Sequence, residues 1–73
     1  SRRLDDDELR QIIEDCRQRL PPTLAGAFVL RDVDDIPTDE ACKILGITPT
    51  NLAVRLHRAR LAMRGCVESK WLG

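Results

Sequence analysis

Tyrosine is missing from this 73-residue chain, and Phe28, Trp71 and His57 are each the only residue of their kind. With one histidine, no glycine-rich phosphate loop and no cluster of metal-ligand spacing, no catalytic constellation can be assembled, and the chain reads as a non-enzyme that needs no cofactor or metal. A cysteine nucleophile would need a base beside it, and His57 falls on a helix face that turns away from the core. Long apolar runs are also missing: nothing approaches the roughly 20 residues needed to cross a bilayer, and no signal-peptide pattern is present. Both absences point to a soluble, cytoplasmic chain without membrane insertion. Strand-period segments, internal repeats and low-complexity linkers are absent too, which leaves an all-α domain. At this length it is a single domain over residues 1–73, with a core that is thin unless helices pack well or something staples them.

Three cysteines are present, Cys16, Cys42 and Cys66. Odd in number and widely spaced, they fit neither a disulfide framework nor a zinc site, so reduced thiols serving as small buried hydrophobes are the expectation. Net charge is zero, but residues 1–40 hold 11 acids and 6 bases while residues 41–73 hold 1 acid and 6 bases. The halves therefore carry about −5 and +5, and a basic patch on one face attracts phosphates whatever the total.

What is present is helical patterning. Ser1-Arg2-Arg3 reads as a frayed end. Asp5-Asp6-Asp7-Glu8 then places acids where a helix begins, against the positive end of its dipole. Leu9, Ile12, Ile13, Cys16 and Leu20 continue as an apolar stripe, giving a first helix over residues 6–19. Leu20-Pro21-Pro22 interrupts it. A second helix is expected over 22–31, with Leu24, Ala27, Phe28 and Leu30 inward and Phe28 as core anchor, followed by a link at Asp32-Val33-Asp34-Asp35. The third starts near Pro37-Thr38 with Asp39 and Glu40 in its first turn. Gly46, after Ala41, Ile44 and Leu45, is a stop signal because glycine tolerates the left-handed conformation that ends a helix. Thr48-Pro49 is a start signal, a hydroxyl cap followed by a residue with no amide hydrogen to satisfy. In the fourth helix Leu52, Leu56, Ala59 and Met63 share one side. The other side carries Thr50, Asn51, Val54, His57, Arg58 and Leu61, flanked by Arg55, Arg60 and Arg64. Gly65 is a candidate stop, and the tail after it either extends the helix or folds back.

A short helix, a glycine-centred turn and a longer basic helix make a helix-turn-helix, and sequence-directed DNA binding is the leading expectation. Thr50 and Asn51 lie in the first turn of the recognition helix, near base edges or phosphates, and asparagine can bond adenine at two points. Val54 can pack on a thymine methyl. Arg58 is the candidate for guanine readout or a close phosphate contact; Arg55, Arg60 and Lys43 neutralise phosphates and set register. His57 faces the same way.

The segments Leu20-Pro21-Pro22, Phe28-x-Leu30-Arg31-Asp32-Val33, Asp39-Glu40, Ile44-Leu45-Gly46-Ile47-Thr48 and Arg55-Leu56-His57-Arg58-Ala59-Arg60 together resemble region four of extracytoplasmic-function sigma factors, the C-terminal DNA-binding domain of a bacterial transcription initiation subunit. The resemblance covers about residues 20–64. It implies promoter minus-35 recognition in the major groove, docking on the β-subunit flap of RNA polymerase core, and a longer parent protein with a separate minus-10-reading domain. It also implies an anti-sigma factor as partner. The chain departs from the family pattern at Pro37, where a capping serine is usual, so that the cap comes from Thr38 or is absent. Other departures are Ala53, in place of a basic or bulky aromatic residue, and Leu72, in place of an aromatic. A second reading is a protein-docking module with little DNA affinity of its own, favoured by Leu61 and the Trp71-Leu72 tail. A third, the effector domain of a response regulator, is disfavoured by the Leu-Pro-Pro opening and the Arg-Leu-His-Arg-Ala-Arg run.

Overall fold

The first helix of the chain opens on an aspartate cap. In the computed structural model, which describes residues 5–72, Asp5 is extended and its carboxylate accepts a 2.8 Å hydrogen bond from the Glu8 backbone N–H. One of the amides left unpaired at a helix start is thereby satisfied, and Asp6, Asp7 and Glu8 fill the first turn of α1 (Asp6–Gln18). The helix closes at Arg19, two residues ahead of Pro21. Next come α2 (Pro22–Phe28), a π-helical turn (Val29–Val33), α3 (Thr38–Leu45) and α4 (Pro49–Leu72), so the expected all-α, four-helix architecture holds. Ser1-Arg2-Arg3, expected as a frayed end, lies outside the described residues. Among the described residues no helix is long and apolar enough to cross a membrane.

The second helix departs from expectation. It does not stop at residue 31 but widens, with the Asp34 N–H bonding the Val29 carbonyl at 2.9 Å and the Ile36 N–H bonding the Leu30 carbonyl at 2.8 Å. No proline or glycine interrupts the chain between Phe28 and Ile36, so helical hydrogen bonding persists in its wider form into residues expected to form a link. Asp35, at φ 54°, then turns the chain, a conformation aspartate tolerates better than most side chains. Arg31 ties down this corner, its Nη1 donating to the Ile36 carbonyl at 2.7 Å.

Of the two possibilities for the start of α3, the cap is absent: Pro37 occupies the cap position and no side chain accepts from the first turn. Gly46 ends α3 as expected, at φ 67° and ψ 39°, and its N–H and that of Ile47 both return to the Cys42 carbonyl. Two residues on, Thr48 Oγ1 accepts from the Asn51 N–H at 3.1 Å, with Pro49 in the first turn of α4. Gly65 does not stop α4. The helix continues to Leu72 because Cys66 and Val67 pack inward and Lys70 pairs with Asp15 at 2.8 Å, contacts that together outweigh the roughly 1 kcal/mol a mid-helix glycine costs.

The α4 stripe Leu52, Leu56, Ala59 and Met63 is buried along its length but serves two clusters. Leu52 and Leu56 join Ala27, Ala41 and Cys42, with Leu30, Ile36, Leu45 and Ile47 packed around them. Ala59 and Met63 join Cys16 and Leu20, with Ile12, Leu24, Ala25, Phe28, Cys66 and Val67 around them. Phe28 is thus half-buried at the margin of the second cluster rather than central, and Ile13 of the α1 stripe is exposed.

The expectation of three reduced thiols is overturned. Cys16 and Cys66 form a disulfide joining α1 to α4 across a sequence separation of 50, with Cα atoms 5.7 Å apart. Only helix packing brings two such distant positions into bonding range, which spacing along the chain does not show. Cys42 is free and buried, as expected.

Candidate nucleic-acid interface

The helix-turn-helix is formed by α3, the left-handed Gly46 corner and the N-terminal half of α4, locked from beneath by the Ala27, Ala41, Cys42, Leu52 and Leu56 cluster. With Leu52 and Leu56 pinned inward, about 100° per residue turns Thr50, Asn51, Val54, His57, Arg58 and Leu61 outward, and all six are exposed. Lys43 is exposed on α3.

The cations expected on this face fall into distinct states. Arg58, His57 and Lys43 are free of ion pairs and side-chain hydrogen bonds among the described residues. Arg55 donates from Nε to Asn51 Oδ1 at 2.9 Å, so the two side chains one turn apart hold each other. Arg60 is committed elsewhere: its Nε and Nη2 bond the two Asp32 oxygens at 2.8 and 2.7 Å, a fork-to-fork pair that fastens α4 to the π-helical turn. Those hydrogen bonds hold the Asp32 carboxyl below the usual aspartate range and raise the Arg60 guanidinium above its own. Arg64 donates to Glu68 at 2.9 Å, one turn on.

Two hollows flank the exposed face. One, of about 430 Å³, includes Lys43, Gly46, Thr48 and Asn51 in its walls; the other, of about 400 Å³, includes Arg31, Thr38, His57 and Arg60. Arg31 and Thr38 join the site only in three dimensions. The Arg31 Nε is buried with no hydrogen-bond partner among the described residues. The signal available for Arg31 in the sequence is its place as the one base between residues 20 and 40. The acids gather elsewhere, and Glu8, Glu14 and Asp15 line a hollow of about 660 Å³ between α1 and the end of α4. The outward side of α4 carries no acid between Pro49 and Leu61, which suits a face that meets phosphates, although Asp39 and Glu40 stand exposed in the first turn of the neighbouring α3.

Comparison with known proteins agrees with this geometry. The family model for sigma-70 region 4 matches residues 10–63. A probable RNA polymerase sigma factor of Haemophilus influenzae is 34% identical over 64 residues, covering 88% of this chain and 33% of that protein. The chain therefore spans about a third of the length of the curated relative it matches. No solved structure matches it. With a helix-turn-helix seated on a buried apolar cluster inside a segment matched from α1 to Met63, the chain belongs to the sigma-70 region 4 family.

Proposed function

We propose that this domain reads the minus-35 element of promoters as the C-terminal part of an alternative sigma factor of the extracytoplasmic-function type, bringing RNA polymerase to specific start sites in the cytoplasm. The observation that carries the reading is Arg58, an exposed and unpaired guanidinium at the centre of the outward side of α4, one helical turn beyond Val54 and two beyond Asn51. In the complex the N-terminal half of α4 enters the major groove. Arg58 bonds guanine or an adjacent phosphate, Asn51 and Thr50 contact bases or phosphates in the first turn, and Val54 packs on a thymine methyl. Arg55, Lys43 and His57 face the phosphates. Arg60, through Asp32, holds α4 at the angle the groove requires and adds field rather than a direct contact. Residues 1–73 form one domain of a longer protein, whose partners are promoter DNA, the β-subunit flap of RNA polymerase core and an anti-sigma factor.

Run-off transcription with the full-length parent, core polymerase and a genomic fragment library tests this. Arg58→Ala is expected to cost about 1–3 kcal/mol, roughly five- to 150-fold, on promoters sharing one upstream motif while sparing others. Promoter choice unchanged by the substitution would overturn the minus-35 assignment.

A second reading, a docking module for polymerase or an inhibitor with little DNA affinity, is favoured by the exposed Leu61 (56%) and Leu72 (83%). Under that reading the double variant Arg55→Ala/Arg58→Ala leaves polymerase binding and promoter choice alike intact.

A further inference from the structure

The family match ends at residue 63, so Cys66 and the last turns of α4 lie beyond it. Here the covalent and non-covalent attachments of α1 are unequal. α1 packs chiefly on α4 and makes no substantial contact with α3. Of its apolar stripe, Ile13 is exposed and Leu9 and Ile12 are only partly covered. Its ion pair to α4, Asp15 with Lys70, sits on the surface, where such pairs contribute little. A 13-residue helix is marginal by itself. Cys16 and Leu20 are the buried members of the stripe, so α1 is held by a small apolar contact with Ala59 and Met63 and by the Cys16–Cys66 bond, its one covalent tie to α4. The bases of the recognition side belong to the other half of the molecule, whose cluster contains neither bonded cysteine.

We propose that the Cys16–Cys66 disulfide is a redox-operated clamp: oxidised, it docks α1 on the C-terminal half of α4; reduced, it releases α1 and uncovers an apolar strip at Leu20, Ala59 and Met63 while the helix-turn-helix stays folded. This device is independent of the promoter-reading proposal. Its reductant is a dithiol protein and its oxidant a protein disulfide, acting by thiol–disulfide exchange. A thiolate of the dithiol attacks the Cys66 sulfur, since Cys66 is the partly exposed partner and Cys16 is only 1% exposed. A new S–S bond forms, the Cys16–Cys66 bond breaks, and its electron pair leaves on Cys16, which takes a proton from water. The second thiol of the reductant, deprotonated, then attacks the mixed disulfide and expels the Cys66 thiolate, which is protonated in turn. Two electrons and two protons have passed from the dithiol, now a disulfide, to the pair; the reverse exchange closes the clamp. Cys42, 8% exposed and enclosed in the other cluster, takes no part. Gly65 lies beside Cys66 with open space around it, so the stretch of α4 from residue 66 to residue 72 loosens together with α1.

The test is peptide-resolved hydrogen–deuterium exchange in the first minutes, with thiols counted by mass, on the Cys42→Ser chain oxidised and after treatment with a thioredoxin-type dithiol protein. Two thiols are expected to appear, with segments 6–18 and 66–72 exchanging about ten-fold faster and segment 38–58 changing by less than about two-fold. Cys66→Ser is expected to reproduce the reduced pattern without reductant. The proposal fails if the dithiol protein liberates no thiol, if segment 6–18 keeps its protection on reduction, or if segment 38–58 opens together with it. A Cys66→Ser chain unfolded throughout counts with that last outcome, since the bond would then be an all-or-none staple.

Discussion

Two glycines in this chain carry opposite consequences. Gly46 sits at φ 67° with nothing within 4 Å of where a Cβ would stand, so a side chain there meets no neighbour and suffers only the left-handed backbone. Gly46→Ala is therefore expected to destabilise the domain by about 1–2 kcal/mol, the cost of that conformation for an L-residue with a Cβ. Gly65 is helical and equally open, so Gly65→Ala is expected to stabilise by about 0.5–1 kcal/mol through reduced backbone freedom in the unfolded chain. Urea denaturation of the two variants beside the parent checks both signs. Gly46 was legible in the sequence because an apolar helical set precedes it and a Thr-Pro start follows. Gly65 carries the same local signal but is overruled by Cys66, Val67 and Lys70, whose partners lie on other elements.

Between elements, two surface ion pairs hold α4 to its neighbours, Asp32 to Arg60 and Asp15 to Lys70. Hydrogen bonds from Arg60 and Lys70 keep both aspartates below their ordinary range, and within α1 the hydrogen bond from Arg17, with Gln18 assisting, lowers Glu14 to about 2. A carboxyl depressed in the folded state contributes stability that is complete above its unfolded value and is lost as pH falls through its folded value. The melting temperature is accordingly expected to be flat from neutral pH to about 5 and to fall from about pH 4 towards 2, modestly because Glu14 and Asp15 face solvent and only Asp32 is partly covered. Asp32→Asn should lower it at neutral pH and flatten the acid limb; an unchanged acid limb would show that the Arg60 pair contributes nothing. Element by element, α1, α3, the Gly46 turn and the start of α4 were legible because their caps and breakers are local. The π-helical turn was not, since its hydrogen bonds follow a wider period than the 3.6-residue repeat by which helices are recognised. Arg60 could be placed on the helix but its commitment could not, because Asp32 lies in a different element and no spacing links them. Arg31 escaped for the same reason: its place beside Thr38 and His57 exists only once the corner at Asp35 has folded.

For the molecule as a whole, folding brings acids of the first half onto bases of the second, as in Asp32 with Arg60 and Asp15 with Lys70, and the staple that a thin core calls for comes from two cysteines whose spacing gives no sign of pairing. Among the described residues Leu52 and Cys16 are the largest side chains at 1% exposure, Leu20, Cys42, Leu56 and Met63 keep 7–8%, and the other fully covered positions are the alanines Ala27, Ala41 and Ala59. Small domains of this length are stable by about 4–11 kcal/mol, at roughly 0.05–0.15 kcal/mol per residue. Against that, a covalent bond closing a sequence separation of 50 contributes about 2–4 kcal/mol, mainly by restricting the unfolded chain. With 1 kcal/mol worth about 4–8 °C in a domain this size, reducing Cys16–Cys66 is expected to lower the melting of α1 and the end of α4 by at least about 10 °C, ahead of the helix-turn-helix, followed by circular dichroism at pH 7 in the Cys42→Ser background. The helical signal well below the midpoint should fall only by the share of α1 and the end of α4, because the cluster around Leu52 and Leu56 contains neither bonded cysteine. A midpoint that does not move on reduction would mean that packing, not the bond, holds the second cluster together, and that the stability of this chain resides in its helix-turn-helix core.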